Sequence, residues 1–172
     1  MNDKLNFIHG RRSIRQYTPE TVDEQTIRSL LEAGMSAPSA RACDPWRILV
    51  VTDRARLDKL AGILPYGKML RTAPLAFVVC GDLNQANSQS ISYLLQDCSA
   101  AIENILLAAH ALGLGAVWLG IHPREDRVTG VKQLFGMPEE IITVGAISIG
   151  RPAETKEART RFKPEYVHYD QW

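Results

Sequence analysis

Apolar positions follow two rhythms along the chain. Ile27, Leu30, Leu31 and Met35 fall at the i, i+3, i+4, i+8 spacing of one helical face, and Thr21 with Glu24 has the form of a capping box. This predicts a helix over about 22–35. The next stretch, SAPSARACDPW at 36–46, places two prolines among small polar residues, which is loop chemistry. It runs into RILVV at 47–51, a short apolar run rich in β-branched residues that predicts a strand buried on both faces. Three similar runs follow: LAFVVCG at 75–81, AVWLGI at 116–121 and ITVGAISIG at 142–150. Helical segments separate them, so the class is α/β or α+β around a sheet of at least four strands.

The longest helical stripe starts at Ile91 and runs through Leu94, Leu95, Cys98, Ile102, Ile105, Leu106, Ala109 and Leu112 to a stop at Gly113. At 1.5 Å per residue it spans roughly 33 Å. Its other faces are also apolar or small, which fits either a central core helix or one that in addition meets a second chain. After Gly150 the periodicity ends, yet the charged segment 151–172 carries Phe162, Tyr166, Tyr169 and Trp172. Four large aromatics predict an arm laid over its own domain or over a second subunit.

Composition narrows the function. The 172 residues, 45% hydrophobic and 23% charged, suit one folded domain over 1–172 and exclude a disordered chain. The start, MNDKLNFIHGRR, lacks the apolar core of a secretory signal, and no run of about 18 apolar residues could cross a bilayer. The expectation is a cytoplasmic protein with no membrane partner. Cys43, Cys80 and Cys98 form no Cys-x-x-Cys pair, and His9, His110, His122 and His168 are equally scattered, so no metal site and no disulfide framework is expected. A formal charge of +1 argues against a nucleic-acid partner.

Positive charge is nevertheless concentrated locally. Of 20 basic residues 14 are arginine, and RRSIRQY at 11–17 gathers Arg11, Arg12 and Arg15, while RTR brings Arg159 and Arg161 together in the arm. Guanidinium forks bind phosphate or carboxylate through paired charge-assisted hydrogen bonds. The two clusters could converge on one phosphate, or each could be a solvated basic patch. The nucleophile elbow, the Walker loop and the dinucleotide glycine fingerprint are all absent. GLGAVWLG at 113–120 reads as a helix stop followed by a close backbone approach near Gly120, and PYGKML at 65–70 as a turn bearing Lys68.

In this order these segments resemble the nitroreductase family of flavin enzymes. The likeness covers nearly the whole chain: RRSIRQY, SAPSARACDPWRILVV, PYGKML, the long helix with AAHALGLGAVWLG, IGRPAE and RTRF. It implies an α+β fold with a mixed, mainly antiparallel sheet flanked by helices, and a homodimer that exchanges the C-terminal arm 151–172 and binds FMN at the subunit interface. By the same resemblance Arg11, Arg159 and Arg161 grip the FMN phosphate, and Arg12 matches a less constrained position. Ser13 and Arg15 reach the ribityl chain and the pyrimidine edge, with Lys68 a second cation there. Pro38, Ser39 and Ala40 come from the other subunit, and Leu119, Gly120 and Ile121 present backbone to the isoalloxazine. Ala42, Asp44 and Gly120 depart from what many or some relatives carry at these places, which bears on the substrate.

The implied activity is hydride transfer from NADH or NADPH through flavin N5 to a nitroaromatic, quinone or similar small acceptor, in a ping-pong cycle with no catalytic side chain. The alternatives are a flavin-binding sensory or carrier module without turnover, and a specialised relative of the dehalogenating or flavin-destroying kind.

Overall fold

The computed structural model describes residues 5–172. Residues 1–4, part of the expected domain and of the start read for a leader, lie outside the described residues. Among the described residues five α-helices and four strands follow in the order α1 (Asn6–Gly10), α2 (Glu24–Met35), β1 (Trp46–Val51), α3 (Arg54–Ile63), β2 (Leu75–Asp82), α4 (Ile91–Ala111), β3 (Gly115–Gly120), α5 (Glu125–Phe135) and β4 (Ile141–Gly150). The sheet order is β1-β2-β4-β3 and all three neighbouring pairs are antiparallel. A parallel contribution comes from a single bridge, Ser13 to Ala116.

Side-chain alternation on the central strands builds two cores. Leu75, Phe77 and Val79 of β2 face α2 and α4, joined by Ile147 and Ile149 of β4. Ala76, Val78 and Cys80 face the other way, onto Leu57 and Leu60 of α3 and Val131 of α5. The chain is therefore layered helix, sheet, helix. α4 carries the largest share of the first core, burying Leu94, Cys98, Ile102, Ile105 and Ala109. Gly113, at φ +73°, ends it as the sequence predicts, because a left-handed residue there is easiest for glycine.

Several expectations need correction. β1 is an edge strand with only Trp46 and Val51 buried, so the expectation of burial on both faces holds for β2 and β4 but not for β1. β3, the other edge, leaves Trp118 and Gly120 exposed. The cap of α2 is Asp23, whose carboxylate accepts the Thr26 N–H at 2.8 Å and the Thr26 hydroxyl at 2.7 Å. An ionised acceptor at the helix start displaces the Thr21–Glu24 box. Met35 of the same stripe is exposed. In the arm, Phe162 and Tyr166 are 71% exposed, Tyr169 83%, and Trp172 is fully exposed. The arm does not cover its own domain with these rings.

Candidate functional site

The early arginine segment is extended, and the start of the arm runs antiparallel beside it. Thr18 N–H donates to the Arg151 carbonyl at 2.9 Å and Ala153 N–H to the Gln16 carbonyl at 2.8 Å, with a bridge from Tyr17 to Pro152. Two side chains from the arm lock this pairing. The Glu154 carboxylate accepts the Arg15 N–H at 2.5 Å, and the Lys156 ammonium donates to the Ser13 carbonyl at 2.7 Å while lying 3.1 Å from Glu154. Arg12 donates from Nη1 to the Glu157 carbonyl. On its other side the segment is held by Ile14 N–H, which donates to the Ala116 carbonyl of β3 at 3.1 Å.

This pairing brings both arginine clusters to one cavity of about 430 Å³, lined by Arg11, Arg12, Ser13, Arg15, Lys156, Arg159 and Arg161. The two clusters belong to the same chain, so their convergence needs no twofold seam. The charges are crowded: the guanidiniums of Arg161 and Arg12 depress the proton affinity of Arg159. Arg11 has a partial counter-ion, Glu103 of α4, at 3.3 Å. A pocket in which cations repel one another is one that an anion stabilises.

Arg15 also lines two further cavities. One, of about 250 Å³, is bounded by Leu64, Tyr66, Trp118, Leu119, Gly120 and Arg127. The other, of about 630 Å³, is bounded by Gln16, Tyr66, Lys68 and Met69. The anion pocket thus adjoins, through one side chain, an open region walled by aromatic and aliphatic groups. The close backbone approach expected near Gly120 is absent among the described residues, where a Cβ at Gly120 would meet nothing within 4 Å. The tight glycines of this edge are Gly115, against Ile14, and Gly145, against Trp118. Bare backbone at the end of β3 leaves a flat surface that a planar ring could approach, and the three cavities together fit the phosphate, sugar-alcohol chain and ring system of FMN.

Not every expected residue joins this trough. Ile121 is fully buried behind the strand end. Pro38, Ser39 and Ala40 line none of the three cavities. They begin a loop in which Arg41, Ala42 and Asp44 all have positive φ, between 48° and 54°. Two carboxylates hold that loop. Asp97, buried in α4, accepts the Ala40 N–H at 2.9 Å, and Asp44 accepts the Ser39 hydroxyl at 2.5 Å. Asp44 is therefore engaged within its own loop. Glu154, Lys156 and Arg127 were not singled out from sequence. Glu154 ends the IGRPAE segment, but its partner Arg15 is 139 residues away in sequence.

The nitroreductase family model matches residues 8–64 and 63–151. The chain belongs to the nitroreductase family. A relative from Methanothermobacter thermautotrophicus, named as a proposed NADH dehydrogenase/NAD(P)H nitroreductase, is 45% identical over 170 residues, covering 99% of this chain and 88% of its own. A crystal structure from Bacteroides thetaiotaomicron of a protein named in the same way superposes with a TM-score of 0.93 at 42% identity, covering 100% of this chain and 99% of that one. A proposed nitroreductase from Desulfovibrio desulfuricans, solved in complex with FMN, has a TM-score of 0.85 at 35% identity and covers 100% and 99% of the two chains. The helix-flanked antiparallel sheet is thus the nitroreductase fold.

Proposed function

We propose that this chain is an FMN-dependent NAD(P)H oxidoreductase, one domain over 1–172, that works as a homodimer by a ping-pong cycle with a nitroaromatic, quinone or similar acceptor. The observation that carries this reading is the meeting of Arg11 with Arg159 and Arg161 in one pocket that adjoins, through Arg15, the bare end of β3. Held there by Arg11, Arg159 and Arg161, FMN would supply the redox chemistry, hydride acceptance at N5 from NADH or NADPH and electron transfer to the second substrate.

Each residue then has a physical task. Arg11, Arg159 and Arg161 offset the roughly two negative charges of a phosphomonoester, and Arg12 adds to the positive field beside them. Arg15 links the phosphate pocket to the ring region, and Ser13 lines the pocket beside it. Arg15 and Lys68 favour negative charge on the polar edge of the ring system. Leu119 and Gly120 offer backbone rather than a large side chain to the ring, so it can sit against the strand end, and the buried Ile121 supports that end from behind. Pro38, Ser39 and Ala40 reach a ring only from a second copy, which also gives the exposed aromatics of the arm a surface to cover. No protein acid, base or nucleophile is needed.

Steady-state oxidation of NADH or NADPH with menadione tests this. Parallel double-reciprocal lines, at rates well above free FMN, are expected. Turnover no faster than free FMN, in a protein that binds FMN, would make it a carrier or sensory module.

A further inference from the structure

Arg127 has no task in the scheme above. It sits in the first turn of α5 and reaches back to the end of β3, where Nη1 donates to the Gly120 carbonyl at 2.9 Å. Its Nε is buried without a hydrogen-bond partner among the described residues. No carboxylate among the described residues pairs with it either. Its acidic neighbours Glu125 and Asp126 are exposed. The side chain lines the 250 Å³ cavity with Arg15 and Gly120, between the aromatic walls of Tyr66 and Trp118.

A guanidinium is always charged, and a partly buried one without a counter-ion is stabilised by negative charge brought by a ligand. We propose that Arg127 is a positioning residue of the redox end: it fixes the Gly120 peptide through its carbonyl and holds a positive charge where electrons arrive. A hydride carries two electrons and one proton, so a neutral ring that receives one from NAD(P)H gains one unit of negative charge. A fixed cation beside the strand end favours that state over the neutral one. The inference rests on the proposed placement of the ring against Gly120, and it adds to Arg15 and Lys68 a third cation, anchored to the strand on which the ring lies.

The test is the two-electron midpoint potential of bound FMN in Arg127→Met and Arg127→Lys, with the FMN dissociation constant measured alongside. Arg127→Met should bind oxidised FMN within a few-fold of the parent, because the phosphate pocket is at the other end of the trough. Its affinity for reduced relative to oxidised FMN should fall about tenfold, a potential lower by about 30 mV for a two-electron couple. Arg127→Lys, which keeps the charge, should recover most of the shift. An unchanged potential in Arg127→Met, or an equal shift in Met and Lys variants, overturns the proposal, the second by reducing Arg127 to a brace. Should Arg127→Met not fold, Arg127→Gln must show the same drop and Arg127→Lys must not. Failure of the underlying reading is distinguishable: Arg159→Ala/Arg161→Ala protein with parental FMN affinity would remove the placement itself, whereas an unchanged potential in FMN-loaded Arg127→Met removes only this inference.

Discussion

At the scale of single residues, the pocket depends on two arm side chains that fix the backbone of the arginine segment. Glu154 fixes the Arg15 backbone and Lys156 fixes that of Ser13, so the arginine fork is presented by a clamp from the far end of the chain. The Arg15 N–H, reinforced by Lys156, holds the Glu154 carboxyl below the usual carboxylate range. A carboxyl depressed on folding adds stability above its unfolded pKa, and that stability is lost as pH falls through the folded value. FMN retention should therefore decline on acidification below about pH 4, and Glu154→Gln should weaken FMN at neutral pH while flattening this acid limb, as fluorescence titration across pH would show. The thiols give a second prediction. Burial pushes Cys80 and Cys98 up to about 12, whereas Cys43 is partly exposed. Iodoacetamide at neutral pH should label Cys43 alone until the protein is unfolded, a pattern that mass spectrometry reads directly.

The same scale shows what sequence could supply. Arg11, Arg159 and Arg161 were visible because like charges packed into a few positions are unusual in a chain of near-zero net charge. Glu154, Lys156 and Arg127 were not, because a lone charged residue in a charged segment looks like any other. Their meaning comes from partners that only the fold brings near, a strand end in one case and an antiparallel segment in the others.

At the scale of elements, continuous apolar runs named all four strands to within a residue at each end, yet could not rank them. RILVV and LAFVVCG look alike on the page, but β1 lies at an edge and β2 at the centre, and sheet order is not written in local pattern. The capping box failed for a related reason: Thr21 and Asp23 compete for the same helix start, and the carboxylate is the better acceptor. The central strand and the long helix set the stability. Phe77 is fully buried between β2 and the α4 layer, so Phe77→Ala should destabilise by about 3–5 kcal/mol in urea unfolding, with FMN affinity falling only as folded protein is lost. At the loop after α2, Asp97→Ala would leave the Ala40 N–H without its acceptor, at a cost of about 1–3 kcal/mol, and would loosen a segment proposed to touch the partner's cofactor.

For the whole molecule, the sequence pointed to an arm that must cover something, and the fold divides that arm in two. Its first part, through Arg161, completes the pocket within its own chain. Its last part leaves Phe162, Tyr166, Tyr169 and Trp172 exposed, and in the proposed homodimer a second copy would cover them. The two parts should therefore be separable. Removing 162–172 keeps both arginines and should shift the protein from dimer toward monomer by sedimentation, with the loss largest at low concentration. A truncated protein that stays fully dimeric would contradict an exchanged arm.

The most direct measurement compares FMN with riboflavin, which lacks the phosphate, in the parent protein and in Arg11→Ala/Arg161→Ala. With charge-assisted contacts worth about 1.5–3 kcal/mol each, the parent should prefer FMN at least about 100-fold, and the double variant should lose most of that preference while binding riboflavin as before. Equal affinity of the parent for both ligands, or an undiminished preference in the variant, would contradict the account.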